Sequence, residues 1–455
     1  MNSSVVKEIE QITHRPLHLA GSQAFREATR LYGFSAAPAH PVPLGVIQCE
    51  SAQDVVAAIK AARAVGVPLS VRGGGHNAFG FALCQDGIVL DMRLMRDVQV
   101  DPARQLTRCG PGTTWGVYDA ATQVHGLASP GGVVSSTGVA GLTLGGGIGA
   151  LRGLHGLACD NLRSAQVVLA DGSIVTADAN REPDLFWGLH GGASNFGIVT
   201  SFEFNVHAVG TRTVTGPIYF SFDEAVKVIA NFRRIAPELP DACATEFNFG
   251  RNKDGRTQLG IMVRFMGDMA AAEPTLKRIR ACGTPIADMA VELPYCQAQR
   301  LLDPKAPWDD RHYWKTQTLN GMHDELVEAV VHFIETSPSP LGKIVIERLA
   351  GEISRIDPAS AAINFRHAPY NAMIVGEWKD VADDEANHDW VKRFAAALAP
   401  FNAGGAYTNY MASDTTEADI RAAFGEAKYR RLQSIKASYD PENFFNRNQN
   451  VQPAR

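Results

Sequence analysis

The sequence has little of what membrane, secreted or metal-binding proteins require. It contains no run of about 18 apolar residues, so we expect no membrane span. Residues 1–10 are polar and charged, unlike the apolar centre of a secretion signal. The seven cysteines are scattered and none forms a C-x-x-C pair, which argues against a disulfide framework and a zinc site. We therefore expect a cytoplasmic protein with reduced thiols and no bound metal.

Neither sign of charge is in strong excess. Lys and Arg together number 43 and Asp and Glu 48, for a formal net charge of -5. Because there is no polybasic tract or basic stripe, nucleic-acid binding is not expected. The 455 residues, 45% hydrophobic and 20% charged, are typical of a globular protein with two large lobes. Both a monomer and a homodimer are compatible with this composition.

The pattern of predicted strands and helices changes along the chain. Before residue 208, short strands alternate with helices, one of them capped by Ser51 and ended by Gly66, which predicts a mixed α/β lobe. After residue 212, longer strands of alternating polarity predict an antiparallel sheet covered by helices. A helix over residues 417–438 precedes sequence that resembles the first lobe again. We predict domains at 1–208, 209–405 and 406–455, with the last segment returning to the first domain.

Two glycine clusters are the most informative local features. Residues 71–77 read V-R-G-G-G-H-N, and three glycines in a row let a loop adopt positive φ and approach a ligand closely. Inward-pointing amides of such a loop suit a diphosphate, and His76 would be held against that ligand. The alternative is a tight turn with a surface histidine. The second cluster is G-L-T-L-G-G-G-I-G at residues 141–149. Residues 145–150 fit the pattern G-x-G-x-x-A of a nicotinamide dinucleotide fingerprint, but no apolar helical period follows them.

Together with the segment Y-D-P-E-N-F-F-N-R-N-Q-N at 439–450, these clusters resemble the berberine-bridge-enzyme-like branch of the vanillyl-alcohol oxidase superfamily. The resemblance extends from about residue 43 to residue 453. It implies an α+β fold: a PCMH-type FAD-binding domain of two α/β subdomains, and a substrate domain with an antiparallel sheet covered by helices. It also implies FAD bonded covalently to His76. Many relatives have a second, cysteinyl bond, but Val134 occupies that cysteine position here, so the resemblance implies one bond.

The resemblance further implies which residues surround the cofactor. Most belong to the two clusters, and the others lie in short segments that match the family. The implied cofactor-binding residues are Arg72, Gly73, Gly74, Gly75, His76, Asn77, Pro130, Gly131, Gly132, Thr137, Gly138, Gly141, Leu144, Gly145, Gly146, Gly147, Gly149, Asp160, Gly197, Ile198, Val199, Tyr407 and Asn448. Thr137 matches the position that controls oxygen access in the family, and its valine-like shape favours an oxidase. Alternatively, it is a loop residue without that role.

The implied reaction oxidises a C–OH or C–N group of a small molecule by hydride transfer to flavin N5, and O2 becomes H2O2. Such a reaction needs a base within hydrogen-bond reach of the substrate. Glu347 is the first candidate, because a carboxylate facing an apolar cavity has a raised pKa. The alternative is that Glu347 pairs with Arg348 or another arginine on a solvated face.

Tyr407 and Asn409, in A-Y-T-N-Y-M, are further catalytic candidates near the flavin ring. Alternation in an extended strand would place both on one face and Tyr410 on the other. They would otherwise be ordinary core residues. The segment R-H-Y-W-K at 311–315 could line the substrate pocket, although such runs are more often irregular surface turns.

Other functions remain compatible with the sequence. The alternatives are an oxidative cyclase or tailoring oxidase of a secondary metabolite, a carbohydrate oxidase, and a flavin-binding protein with little turnover. Small-molecule substrate and O2 are the expected partners of the enzymatic alternatives.

Overall fold

A computed structural model describes residues 3–33 and 41–454 of the chain. Residues 1–2, 34–40 and 455, which the predicted domains 1–208 and 406–455 include, lie outside the described residues. Across the described ranges, no helix combines the length and apolar character needed to cross a membrane.

Helices and strands alternate in the first part of the chain, and long strands dominate the second. The helices of the described residues are α1 (Ser3–Thr13), α2 (Gln23–Thr29), α3 (Ala52–Val65), α4 (Trp115–Gln123), α5 (Val139–Leu144), α6 (Arg152–His155), α7 (Pro183–Leu189), α8 (Ala225–Ile235), α9 (Ala272–Arg280), α10 (Tyr295–Ala298), α11 (Asp324–Glu335), α12 (Glu352–Arg355), α13 (Asp384–Leu398), α14 (Glu417–Phe424) and α15 (Glu426–Tyr439). The strands are β1 (Gly45–Gln48), β2 (Leu69–Arg72), β3 (Ile88–Asp91), β4 (Val98–Asp101), β5 (Leu106–Cys109), β6 (Leu127–Ala128), β7 (Leu162–Val168), β8 (Ile174–Asp178), β9 (Ile198–Asn205), β10 (His207–Ala208), β11 (Arg212–Ser221), β12 (Cys243–Arg251), β13 (Thr257–Phe265), β14 (Pro285–Asp288), β15 (Val291–Pro294), β16 (Arg311–Leu319), β17 (Lys343–Arg348) and β18 (Tyr370–Trp378).

A small parallel sheet carries the first glycine cluster. Its strand order is β1-β3-β2, and α3 packs against it. The predicted start and end of α3 are confirmed: Ser51 and Asp54 form a reciprocal capping box, and Gly66 ends the helix in the left-handed conformation. Because β2 ends at Arg72, the glycine loop emerges directly from a buried strand.

A five-stranded antiparallel sheet, β4-β5-β9-β7-β8, forms the second layer of the same lobe. Its core contains Trp115 and Phe202 together with Phe424 and Leu432 from the C-terminal helices. The chain therefore returns to this lobe at its end. The single helix predicted at 417–438 is wrong in one respect: Gly425, with φ +73°, separates α14 from α15.

The second lobe is an antiparallel sheet of eight strands, ordered β14-β11-β13-β12-β17-β18-β16, with β15 also paired to β11. Helices α8, α9, α11 and α13 contribute to the core on one face of this sheet. Side chains alternate between faces along each strand. Phe247 and Ile346 thus pack into that core, whereas Glu246 and Glu347 face the opposite side and border a cavity. The domain divisions at residues 208 and 405 stay predictions.

Candidate active site

A cavity of about 1230 Å³ lies between the glycine loops of the first lobe and the open face of the eight-stranded sheet. Pockets for drug-sized ligands have volumes of about 300–1,000 Å³. This cavity therefore has room for a ligand as large as a dinucleotide. Its wall combines both predicted glycine clusters, the segment 408–410 and strands β12, β17 and β18.

The first glycine loop has the conformation that its sequence predicted. Gly75 has φ +76°, and a Cβ at this position would lie 2.8 Å from a guanidinium nitrogen of Arg72. A Cβ on Gly74 would overlap the backbone nitrogen of Gly138. The first glycine loop thus meets the turn at Thr137 and Gly138, just before α5, backbone to backbone, and no side chain occupies the point of contact.

His76 is held by contacts with three side chains and does not lie free on the surface. Its Nε2 is 2.7 Å from the hydroxyl oxygen of Ser136, and its ring stacks on Tyr32 with centroids 4.8 Å apart. The ring of Trp308 is nearly perpendicular to the imidazole, with centroids 5.2 Å apart. Burial lowers the pKa of His76 to about 4; the nearby positive charge of Arg72 contributes, and Asp303 opposes the shift. The imidazole is therefore neutral at physiological pH and fixed in orientation.

The second glycine cluster does not have the geometry of a nicotinamide dinucleotide fingerprint. That motif opens a helix, whereas here α5 ends at Leu144 and the glycines follow it. Gly145 borders the cavity. Gly146 and Gly147 have φ of +116° and +92° and face the protein interior, where a Cβ on Gly147 would lie 2.5 Å from the Cβ of Ala158.

The structure divides the predicted cofactor-binding residues into two groups. Those that border the cavity are Gly73, Gly74, Gly75, His76, Asn77, Gly132, Thr137, Gly138, Gly141, Leu144, Gly145, Gly197, Ile198, Val199 and Asn448. Those outside the lining formed by the described residues are Arg72, Pro130, Gly131, Gly146, Gly147, Gly149, Asp160 and Tyr407.

Most residues of the second group lie directly behind the first. Arg72 packs against the glycine loop and donates to the carbonyl of Gly73 at 3.1 Å. Gly149 lies so close to Gly131 that a Cβ would overlap its carbonyl oxygen. These residues shape the backbone that forms the wall.

Asp160 does not border the cavity, and its hydrogen-bond partners lie in the protein interior. Its carboxylate forms an ion pair with Arg366, which donates a hydrogen bond from Nη1 at 2.9 Å. Both side chains are buried. The same carboxylate accepts the amide of Leu157 at 2.7 Å. Asp160 therefore stabilises the fold beneath the second glycine cluster, and the expectation that it touches the cofactor is not supported by its position.

Glu347 lies on the cavity face of β17 and is 5% exposed. Asn371, its cross-strand neighbour on β18, donates to Oε2 at 2.8 Å, and the hydroxyl of Tyr410 is 3.4 Å from Oε1. Burial raises the pKa of Glu347 to about 7; Arg152 opposes the shift and Glu246 adds to it. The carboxyl can therefore take up or release a proton near neutral pH.

The alternative interpretation of Glu347, pairing with Arg348 or another arginine on a solvated face, is wrong about the face, because the side chain is buried. Arg348 is directed to the other side of the strand, where it donates to the carbonyl of Ala236 at 2.6 Å. A second carboxylate, Glu246, lies across from Glu347 on β12. It is 3.3 Å from Nε of Arg264 and 3.8 Å from Nη1 of Arg152. Glu246 is thus neutralised by two buried arginines.

The segment 407–410 departs from the predicted extended strand. Thr408–Tyr410 is a turn of 3-10 helix, so the rings of Tyr407 and Tyr410 lie together with centroids 4.6 Å apart. The hydroxyl of Tyr407 accepts the amide of Ile148 at 3.1 Å and the side-chain amide of Asn409 at 2.9 Å. Tyr407 is held behind the wall, whereas Asn409 and Tyr410 border the cavity.

Three cavity residues were misplaced or missed in the predictions from the sequence. Residues 311–315 form the start of β16 instead of a surface turn, and His312 and Trp314 border the cavity. The aromatic and β-branched residues at 313–318, which favour strands, were the available signal. Tyr32, which packs between His76 and His312, gave no signal, because it is remote in sequence from both.

No group of three or more histidine, cysteine or acidic side chains suited to a metal ion occurs within residues 3–33 and 41–454. All seven cysteines are free thiols, and six of them are buried.

Two models of known families match segments of the chain that form this site. Residues 43–178 match the model described as FAD binding domain, and residues 406–452 match the model described as berberine and berberine like. The chain is an FAD-linked oxidoreductase that has the FAD-binding and berberine-like domains of the berberine-bridge-enzyme-like family. Within this family, the chain is 27% identical to (R)-6-hydroxynicotine oxidase of Paenarthrobacter nicotinovorans over 90% of this chain and 91% of that enzyme. It is 26% identical to xylooligosaccharide oxidase of Thermothelomyces thermophilus over 90% of this chain and 88% of that enzyme.

A solved structure supports the fold of this family member. The crystal structure of 6-hydroxy-D-nicotine oxidase from Arthrobacter nicotinovorans superimposes with a TM-score of 0.88 at 26% identity, over 97% of this chain and 98% of that one. The predicted α+β fold, with a PCMH-type FAD-binding domain and an antiparallel substrate lobe, is confirmed. The cavity fits FAD: its volume is sufficient, and glycine backbone borders it on the side of the first lobe.

Proposed function

We propose that this FAD-dependent oxidase carries its flavin on His76 through one covalent bond and oxidises a C–OH or C–N group of a compact organic molecule, reducing O2 to H2O2. One observation carries this proposal: a neutral, fixed imidazole and a carboxyl group with a pKa of about 7 border the same cavity. The imidazole suits attachment of the cofactor, and the carboxyl suits removal of a substrate proton.

The composition of the cavity wall supports a single bond. Val134 borders the cavity at the position where relatives with a second bond carry cysteine. Among the described residues, none that border the cavity is a cysteine. His76 is then the group available to form the bond.

Glu347 is the proposed base. FAD, when bound, would supply the acceptor for a hydride from the substrate carbon, and Glu347 would take the proton from the hydroxyl or amine. Tyr410 and Asn371 hold the carboxyl through its two oxygens. Tyr407, the second candidate base from the sequence, does not border the cavity, so its role is to support the wall through Ile148 and Asn409.

The side chains of the second lobe that lie next to Glu347 favour a small substrate with an apolar portion. Val345, Met373 and Val375 border the cavity along β17 and β18 beside Glu347. Apolar walls with few oriented polar groups are typical of small-molecule sites. A screen of alcohols, sugars, cyclic amines and phenolic compounds that measures peroxide release would identify the substrate class. Anaerobic bleaching of the flavin by a positive compound would exclude a binding protein without turnover.

Replacing His76 tests the attachment directly. The wild-type protein should remain yellow after acid precipitation and show the mass of the chain plus one FAD. In His76→Ala that added mass should disappear. His332→Ala, on the exposed side of α11, is the matched control and should keep it. A flavin mass that persists in His76→Ala would contradict the proposal.

A further inference from the structure

The turn that contacts His76 is fixed by the first lobe. The carbonyl of Ser135 accepts the amide of Gly116 at 2.8 Å, and the carbonyl of Thr137 accepts the amide of Trp115 at 2.9 Å. Both amides belong to the beginning of α4. The hydroxyl of Ser136, between these two anchored residues, is therefore held beside Nε2 of His76.

The second lobe holds the same turn from the opposite side. Asp303, which begins a short 3-10 helix, accepts the amide of Ser135 at 2.8 Å and its hydroxyl at 2.6 Å. A carboxylate that accepts two hydrogen bonds from one residue fixes that residue strongly. The position of the Ser136 hydroxyl thus depends on contacts from both lobes.

We propose that Ser136 is a positioning residue for flavin attachment: it holds His76 in the tautomer that leaves Nδ1 free to bond to FAD, while Asp303 holds Ser136 through Ser135. The proposal rests on the covalent bond inferred above. When the Nε2 proton is donated to the Ser136 oxygen, the lone pair of the neutral ring resides on Nδ1. Stacking on Tyr32 prevents the ring from turning away.

The atoms and electrons of the attachment balance with dioxygen, the oxidant that an oxidase uses. A bond forms between Nδ1 and the 8α carbon of FAD, and one C–H bond of the 8α methyl group breaks. The imidazole loses its Nε2 proton, which leaves by way of the Ser136 oxygen. Two protons and two electrons are thus released, and they reduce O2 to H2O2.

The test measures attachment and needs no substrate. Apoprotein from riboflavin-limited cells is mixed with FAD in air, and the fraction of flavin that stays with acid-precipitated protein is followed over time. Loss of one oriented hydrogen bond should slow attachment by roughly 5- to 30-fold in Ser136→Ala. Ser136→Thr keeps the hydroxyl and should restore the rate. Asp303→Asn, which weakens the hold on Ser135, should slow attachment by about fivefold.

Controls separate this role from a general effect on folding. Ser173→Ala, on an exposed hairpin, should attach FAD at the wild-type rate. Thermal stability and the initial noncovalent binding of FAD should be the same in Ser136→Ala as in wild type. A wild-type rate in Ser136→Ala, or an alanine-like rate in Ser136→Thr, would overturn the proposal. Wild-type protein that never retains flavin would instead overturn the attachment to His76 itself.

Discussion

Replacement of Glu347 by glutamine should slow flavin reduction and stabilise the protein at the same time. The carboxyl is buried, and its pKa is raised from 4.5 to about 7. That difference corresponds to about 3 kcal/mol for keeping the group ionised in the folded protein. Glutamine has the same shape and can still bond to Asn371 and Tyr410, but it can neither ionise nor accept a proton.

The stabilisation depends on pH in a defined direction. Below pH 4.5 the carboxyl is protonated in both folded and unfolded chains. As the pH rises from 4.5 to about 7, only the unfolded chain ionises fully, which favours unfolding, so the wild type loses stability across this range. Glu347→Gln has no ionisable group at this position and should not lose stability across this pH range. Its Tm should therefore exceed that of wild type by about 3 °C or more at about pH 8, and should equal it near pH 4.5.

Anaerobic stopped-flow mixing with a substrate from the peroxide screen measures the effect of Glu347→Gln on the rate of flavin reduction. Removal of a general base should slow flavin reduction by about 10²- to 10⁴-fold. The wild-type rate should rise with pH around an apparent pKa near 7, and the variant should lose this rise. Glu328→Gln, on the exposed side of α11, is the control for both measurements. Equal reduction rates, or equal Tm values at about pH 8, would refute the assignment of Glu347.

Three further changes test other parts of the site. Arg366→Met leaves the buried Asp160 carboxylate without its cation and should lower the free energy of unfolding, measured by denaturation, by about 3 kcal/mol. Arg393→Met, at an exposed ion pair, is the control and should lower it by under about 1 kcal/mol. Thr137→Leu should slow reoxidation of reduced flavin by O2 on the order of tenfold, measured by stopped flow. Gly138→Ala should overpack the contact with the facing loop, lowering stability by about 1–3 kcal/mol and reducing bound flavin.

Features that depend on neighbouring residues were predictable from the sequence. The capping box of Ser51 and Asp54 and the positive φ of Gly75 each follow from a few adjacent residues. The family resemblance of the two glycine clusters and the C-terminal segment extended these local inferences to FAD and to the overall fold. The same local reasoning failed at 407–410, because the turn is shaped by remote contacts such as that from the Thr408 hydroxyl to Gly145.

The sequence by itself determined which groups are available: a glycine loop that can approach a dinucleotide, a histidine beside it, and a valine at the position of the second covalent bond. The tertiary structure decided what those groups and their remote partners can do. Burial raises the pKa of Glu347 towards neutrality, and Glu246 on β12 adds to the rise, whereas Arg152 and the hydrogen bond from Asn371 on β18 oppose it. Asp160 is paired with Arg366, which is distant from it in sequence. Burial and charge pairing arise from residues that only the folded chain brings together, and they set the chemistry of each side chain.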